Sequence, residues 1–327
     1  MSGWDVLARF LPHAPLLVVA ALLSALVIGV RLRFAKVGLD RPGHRSLHDL
    51  PTPHGGGLGI VAAALVAGAW LDVGTSWLAG VAVLAAISLL DDWRHLPFWM
   101  RLAVHLAVAA SVVFLHEPPA LALAIPIIVL IGWAINAYNF MDGADGLAGS
   151  MAIAGFGAYA FAFARADMPE MAAFCAALVA ASAAFVAFNW HPARIFMGDV
   201  GSIPLGFLAG ALGWHGVDLG VWPAWFPVVV FAPFLMDASV TLCRRALRGE
   251  RVWEAHRSHY YQRMVRSGMS HSAMAARWLS AMVAGGLVAL AGLAVPPPAG
   301  WLLAAGWLLV LAALGLMVDR RWKHNNK

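Results

Sequence analysis

Mainly apolar stretches recur along almost the whole chain at lengths suited to crossing a bilayer, and this constrains the fold more than any single motif does. A spanning helix needs about 20 mainly apolar residues. Eleven candidates fall near 14–31, 57–73, 75–90, 99–116, 119–138, 146–164, 170–188, 201–216, 222–242, 278–296 and 299–318. Inside hydrocarbon every backbone N–H and C=O must be satisfied within the protein, so such segments are read as helices. The expected fold is all-α, a polytopic transmembrane helical bundle of about eleven spans in a single integral membrane domain over residues 1–327. Composition agrees, at 61% hydrophobic and 12% charged residues, whereas soluble domains carry about 25% charged residues. The first run reads as a span rather than a cleaved signal peptide, because comparable runs follow it throughout.

Twenty of the 22 Lys and Arg fall in the alternate loops 31–56, 91–101, 189–199, 244–277 and 319–327, leaving Arg9 and Arg165 for the other side. By the positive-inside rule the N-terminus is expected outside and the C-terminus in the cytoplasm. The net charge of +5 is then accounted for by topology and anionic headgroups, and nucleic acid is not an expected partner. Cys175 and Cys243 show no disulfide or metal spacing.

Acidic residues collect at the ends of the greasy segments facing the cytoplasm. Asp91 and Asp92 close the third span, Asp142 and Asp145 follow the fifth, and Asp199 precedes the eighth. If helical, Asp142 and Asp145 share a face, while Asp91 and Asp92 point about 100° apart. Only Arg94 is near the first pair in sequence, and no basic residue lies between 139 and 149. A divalent cation holds such carboxylates ionised, and hard oxygen donors favour Mg²⁺ or Mn²⁺. Solvated helix caps are the plain alternative for any one of them. That alternative leaves unexplained why Asn136, Asn139 and Asn189 share these loops, with Gly143, Gly146, Gly198 and Gly201 suited to backbone approach by an anion.

The loop 40–57 supplies Arg45, His48 and Thr52 ahead of a glycine-rich entry to the second span. In the loop 244–277, His256 and His259 stand beside Arg257 and Arg263. No HExxH pattern accompanies them, so phosphate binding suits the cluster better than zinc hydrolysis. Asp237, about a turn from the end of the ninth span, is either a site residue or a partner for Arg244 or Arg245.

Five stretches occur in order: DRPGHRSLHDLPTPHGGG (40–57), LLDDW (89–93), NAYNFMDGADGL (136–147), NWHPARIFMGDVGS (189–202) and AHRSHYYQRM (255–264). Through them the chain resembles the polyprenyl-phosphate N-acetylhexosamine-1-phosphate transferases. That superfamily includes phospho-N-acetylmuramoyl-pentapeptide transferase and the enzymes initiating O-antigen synthesis. The HRSHYYQ form looks like the O-antigen branch, whereas the cell-wall branch has a run of histidines there. His54 stands where close relatives often have Arg.

The resemblance implies a Mg²⁺-dependent enzyme of the bacterial inner membrane. It would transfer an N-acetylhexosamine-1-phosphate from a UDP-sugar to undecaprenyl phosphate, releasing UMP. It also implies roles: Asp199 and Asp91 for the metal, Asp91 and Asp92 for catalysis, and Asn139, Asp142 and Asp145 for the nucleotide sugar. Asn189 and Phe196 would lie near the uridine, and His256, His259 and Arg257 near the diphosphate. Arg45, His48 and Thr52 belong to the substrate-binding set, and family analogy extends to a homodimer. Either the lipid phosphate attacks directly with help from Asp91 or Asp92, or one of these aspartates attacks first. The rival classes are a secondary transporter, which keeps its ionisable groups near mid-bilayer, and a phosphatase acting on lipid diphosphates.

Overall fold

A computed structural model describes residues 8–34, 38–40, 50–114, 119–254 and 256–325. The order is α1 (Ala14–Arg33), β1 (Leu39–Asp40), β2 (Thr52–Pro53), α2 (Gly57–Trp70), α3 (Thr75–Arg94), α4 (Phe98–Phe114) and α5 (Leu121–Phe140). Then follow α6 (Leu147–Arg165), α7 (Pro169–Asn189), α8 (Asp199–Asp218), α9 (Trp225–Val230), α10 (Ala232–Leu247), α11 (Tyr260–Arg266), α12 (His271–Gly292) and α13 (Pro297–Asn325).

Among the described residues eight helices are long and apolar enough to cross a membrane, and α2 and α4 are shorter apolar helices. Helix occupies part of each of the eleven expected segments, and three of them fall short of that length. One reason is local to the ninth segment, which breaks at Phe231 into α9 and α10. Pro233 lies in the first turn of α10; with no N–H and a ring that crowds the carbonyl four residues back, it ends an unbroken helix there.

Helices α6 and α8 form the centre, with 78% of each apolar window buried, whereas α13 is peripheral at 6%. Small residues let backbones approach where lipid gives no hydrophobic drive to pack. Gly57 of α2 meets Gly201 of α8 so closely that a Cβ on either would strike the other's Cα. Ser24 of α1 donates to the Ala181 carbonyl of α7 at 2.9 Å, satisfying a buried hydroxyl.

The β1–β2 ribbon pairs Leu39 with Pro53 and Asp40 with Thr52. The segment after it is pinned to the approach to α8. Phe196 N–H donates to Pro53 O at 2.8 Å, Gly56 N–H to Phe196 O at 2.9 Å, and Gly57 N–H to Met197 O at 3.0 Å. These bonds fix where α8 begins, with Asp199 as its first residue.

Candidate active site

Four carboxylates from three places in the chain meet at one end of the bundle. Asp91, in the last turn of α3, accepts from Leu96 N–H at 2.7 Å and from Arg101 Nη1 at 2.8 Å. The same Nη1 stands 3.6 Å from Asp199 Oδ2, so one guanidinium spans the carboxylates of α3 and α8. Asn139, near the end of α5, donates Nδ2 to Asp199 Oδ1 at 2.8 Å and to Ser202 Oγ at 3.0 Å. Asp92 points elsewhere, as the 100° step requires, with Oδ2 3.7 Å from His54 Nδ1.

Asp142 completes the group. Burial and then the Asp199 charge raise its carboxyl well above the usual range, and a hydrogen bond from the Gly198 backbone opposes them. Helix α5 ends at Phe140, and Gly146, at φ +74°, precedes α6. The segment between them is a turn rather than helix, so the shared face expected of Asp142 and Asp145 is not formed. Asp142 faces Asp199. Asp145 instead bonds His191 Nδ1 at 2.7 Å and accepts from Ala193 N–H at 3.1 Å. His191 in turn stacks on His271, the first residue of α12, at 4.9 Å.

Other expected residues hold the frame. Asn189 is buried, its Oδ1 accepting from Gly146 N–H and its Nδ2 donating to Ile195 O, each at 2.9 Å. Its amide thus ties the two site loops together. Thr52 is also buried and donates to Leu50 O at 3.1 Å. Phe196 is half-buried on the strip paired with Pro53. Gly201 serves the α2–α8 crossing, and Gly143 has the Tyr261 hydroxyl on the side where a Cβ would stand. Arg45 and His48 lie outside the described residues.

The histidine loop is held against this group by Asp237. Neither Arg244 nor Arg245 is its partner. Asp237 Oδ1 bonds His259 Nδ1 at 3.0 Å and accepts from Tyr260 N–H at 2.9 Å, while Oδ2 accepts from Tyr261 N–H at 3.3 Å. Arg244 pairs with Asp319 and Arg245 with Glu250. The negative Asp237 thereby caps the N-terminus of α11, where free N–H groups favour an anion. Tyr261 donates to Phe140 O at 3.2 Å, joining α11 to the end of α5 and so to the Asp142 turn. The His256 ring lies 4.7 Å from His259. Burial, then the nearby His259 and Arg245, push its imidazole down to about 4, so it is neutral at pH 7. Arg257 is exposed.

Arg101 escaped the sequence reading because only Arg94 is adjacent to the aspartate pair. The turn between α3 and α4 returns a residue ten positions on to Asp91.

The fold and site define a multi-pass helical membrane protein with a cluster of carboxylates at the helix ends. Residues 75–216 match the family described as glycosyl transferase family 4. The chain is 28% identical to the probable undecaprenyl-phosphate N-acetylglucosaminyl 1-phosphate transferase of Bacillus subtilis, covering 77% of each chain. It is 32% identical to the phospho-N-acetylmuramoyl-pentapeptide-transferase of Chloroflexus aurantiacus, over 62% of this chain and 67% of that one. With the protein of that name from Lactiplantibacillus plantarum the identity is 35%, over 47% of this chain and 58% of the relative. The chain belongs to glycosyl transferase family 4.

Proposed function

We propose that this protein transfers an N-acetylhexosamine-1-phosphate from a UDP-sugar to undecaprenyl phosphate in the bacterial inner membrane, initiating O-antigen or another surface polysaccharide. The convergence of Asp91, Asp92, Asp142 and Asp199 carries this reading. A transporter would keep such groups near mid-bilayer. The names of the relatives favour a hexosamine-1-phosphate transferase over a phosphatase.

The donor set fits a hard divalent cation: partly exposed carboxylate oxygens, with Arg101 and His54 as neighbouring side chains. Asp199 and Asp91 would hold Mg²⁺ or Mn²⁺, which supplies charge neutralisation for a diphosphate. Asn139 orients Asp199 through its 2.8 Å bond. Both oxygens of Asp91 already accept hydrogen bonds, which favours Asp92 as the carboxylate that assists the acceptor. An acceptor phosphate oxygen bonds to the β-phosphorus of the UDP-sugar while the bond from that phosphorus to the bridging oxygen breaks, and UMP leaves with the electron pair. Phosphoryl transfer of this kind depends mainly on positioning and charge stabilisation. If His256 meets the diphosphate, it would offer a hydrogen bond rather than a charge.

The distribution of Lys and Arg supports a pocket on the cytoplasmic side, where a soluble nucleotide meets a lipid-borne phosphate. The test is purified protein with Mg²⁺, undecaprenyl phosphate and labelled UDP-N-acetylglucosamine, UDP-N-acetylfucosamine or UDP-N-acetylquinovosamine. One of these is expected to release UMP and label the lipid. Failure of every UDP-sugar with any divalent ion overturns the proposal.

A further inference from the structure

Two cavities away from the carboxylate cluster meet between α10 and α13. One, of about 840 Å³, is lined mainly by apolar side chains of α10, α12 and α13, among them Met236, Val240, Trp278, Trp307 and Leu311. The other, of about 470 Å³, lies between the ends of α10 and α13 and is lined by Arg244, Arg248, Arg263, Arg320 and Lys323 around Asp319. Arg244 and Leu316 belong to both linings, so an apolar chamber runs into a basic one.

We propose that this pair of cavities binds an acidic phospholipid of the surrounding bilayer, its phosphate among Arg244, Arg248, Arg320 and Lys323 and an acyl chain in the apolar chamber. Charge argues for an anion: five cationic side chains face one carboxylate, an excess of four. Asp319 is already engaged by Arg244 at 2.7 Å and Arg263 at 2.8 Å, and Tyr260 OH donates to it at 3.4 Å. Arg248 has Glu250 at 3.7 Å, with most of its side chain exposed. The apolar chamber argues for a lipid rather than a free anion, since a soluble phosphate has no use for it. Its outer wall is α13, the least buried of the candidate spans, so the chamber opens beside bilayer-facing surface. Long basic side chains at helix ends reach headgroup phosphates in this arrangement. The acceptor of the proposed reaction is a poorer occupant, because none of Asp91, Asp92, Asp142 or Asp199 lines either cavity.

The position gives the site leverage on α11. Asp319 ties α13 to Arg244 of α10 and to Arg263 and Tyr260 of α11, and the Tyr260 N–H rests on Asp237, which also holds His259. A phosphate beside Arg244 adds an anion to the clamp that carries the histidine loop.

The experiment uses the delipidated full chain in detergent, followed by native mass spectrometry and by its melting midpoint. Phosphatidylglycerol is compared with phosphatidylcholine of the same chains, inorganic phosphate and undecaprenyl phosphate. Phosphatidylglycerol is expected to bind at one site per chain and raise the midpoint, with phosphatidylcholine much weaker. The Arg320→Ala/Lys323→Ala double variant is expected to weaken phosphatidylglycerol binding by about 30-fold, from two surface cations. Ala312→Trp, which fills the chamber from its exposed rim, tests the acyl arm independently and is expected to lower affinity with the basic pocket intact. Equal binding of the two phospholipids, binding unchanged in both variants, inorganic phosphate matching phosphatidylglycerol, or preference for undecaprenyl phosphate each overturns the proposal.

Discussion

Replacing Arg101 by Met removes the one guanidinium that bridges two carboxylates of the pocket while keeping an apolar stem of similar length. In the structure it gives Asp91 a 2.8 Å charge-assisted bond and stands 3.6 Å from Asp199. A hydrogen bond to a charged group contributes about 1.5–3 kcal/mol. The Arg101 side chain is 32% exposed, so screening reduces the expected loss to about 1–2 kcal/mol. The same interaction opposes a divalent cation, which must take over the oxygens that Arg101 holds. Its removal is therefore expected to tighten Mn²⁺ binding by about 5- to 30-fold while lowering metal-free stability. Calorimetric titration of Mn²⁺ into wild type and Arg101→Met in lipid nanodiscs, with melting midpoints recorded in parallel, measures both effects. Unchanged or weaker Mn²⁺ binding in the variant refutes the reasoning, because Arg101 would then not compete for the metal's oxygens.

Asp237→Ala leaves His259, the Tyr260 and Tyr261 amides and Thr241 without their buried acceptor, and is expected to cost about 3–5 kcal/mol in denaturant unfolding. A cost below about 1 kcal/mol would refute the capping role assigned to it. His256 has its imidazole pushed down to about 4, below the ordinary value of 6.5. Its neutral form therefore stabilises the fold above pH 6.5, and that contribution is lost as pH falls from 6.5 through 4. Because the ring is half-buried, wild type is expected to lose on the order of 1 kcal/mol more than His256→Gln across that window. Parallel stability–pH curves for the two proteins would contradict the assignment.

The sequence made the helical class legible because apolar runs leave a chain few alternatives in a bilayer, and quoted motifs brought Asp91, Asp92, Asn139, Asp142 and Asp199 to one end. What escaped it depended on tertiary returns. The Arg101–Asp91 bond needs the α3–α4 turn, and the Asp237–His259 pair joins residues 22 apart across a loop. Asp142 and Asp145 do not share a face because Gly146, in the left-handed region, closes a turn where the spacing alone allowed a helix. The break at Phe231 was missed although Pro233 signalled it, since hydropathy averages over a single proline.

The proposed reaction requires that Asp91 of α3 and Asp199 of α8 hold one divalent ion on a diphosphate. Electron paramagnetic resonance of Mn²⁺ titrated into the protein, with and without UDP, tests it most directly. One Mn²⁺ per chain is expected, bound more tightly with UDP and lost in Asp199→Asn at unchanged helical circular dichroism. Undiminished, UDP-sensitive Mn²⁺ binding in Asp199→Asn would contradict the account.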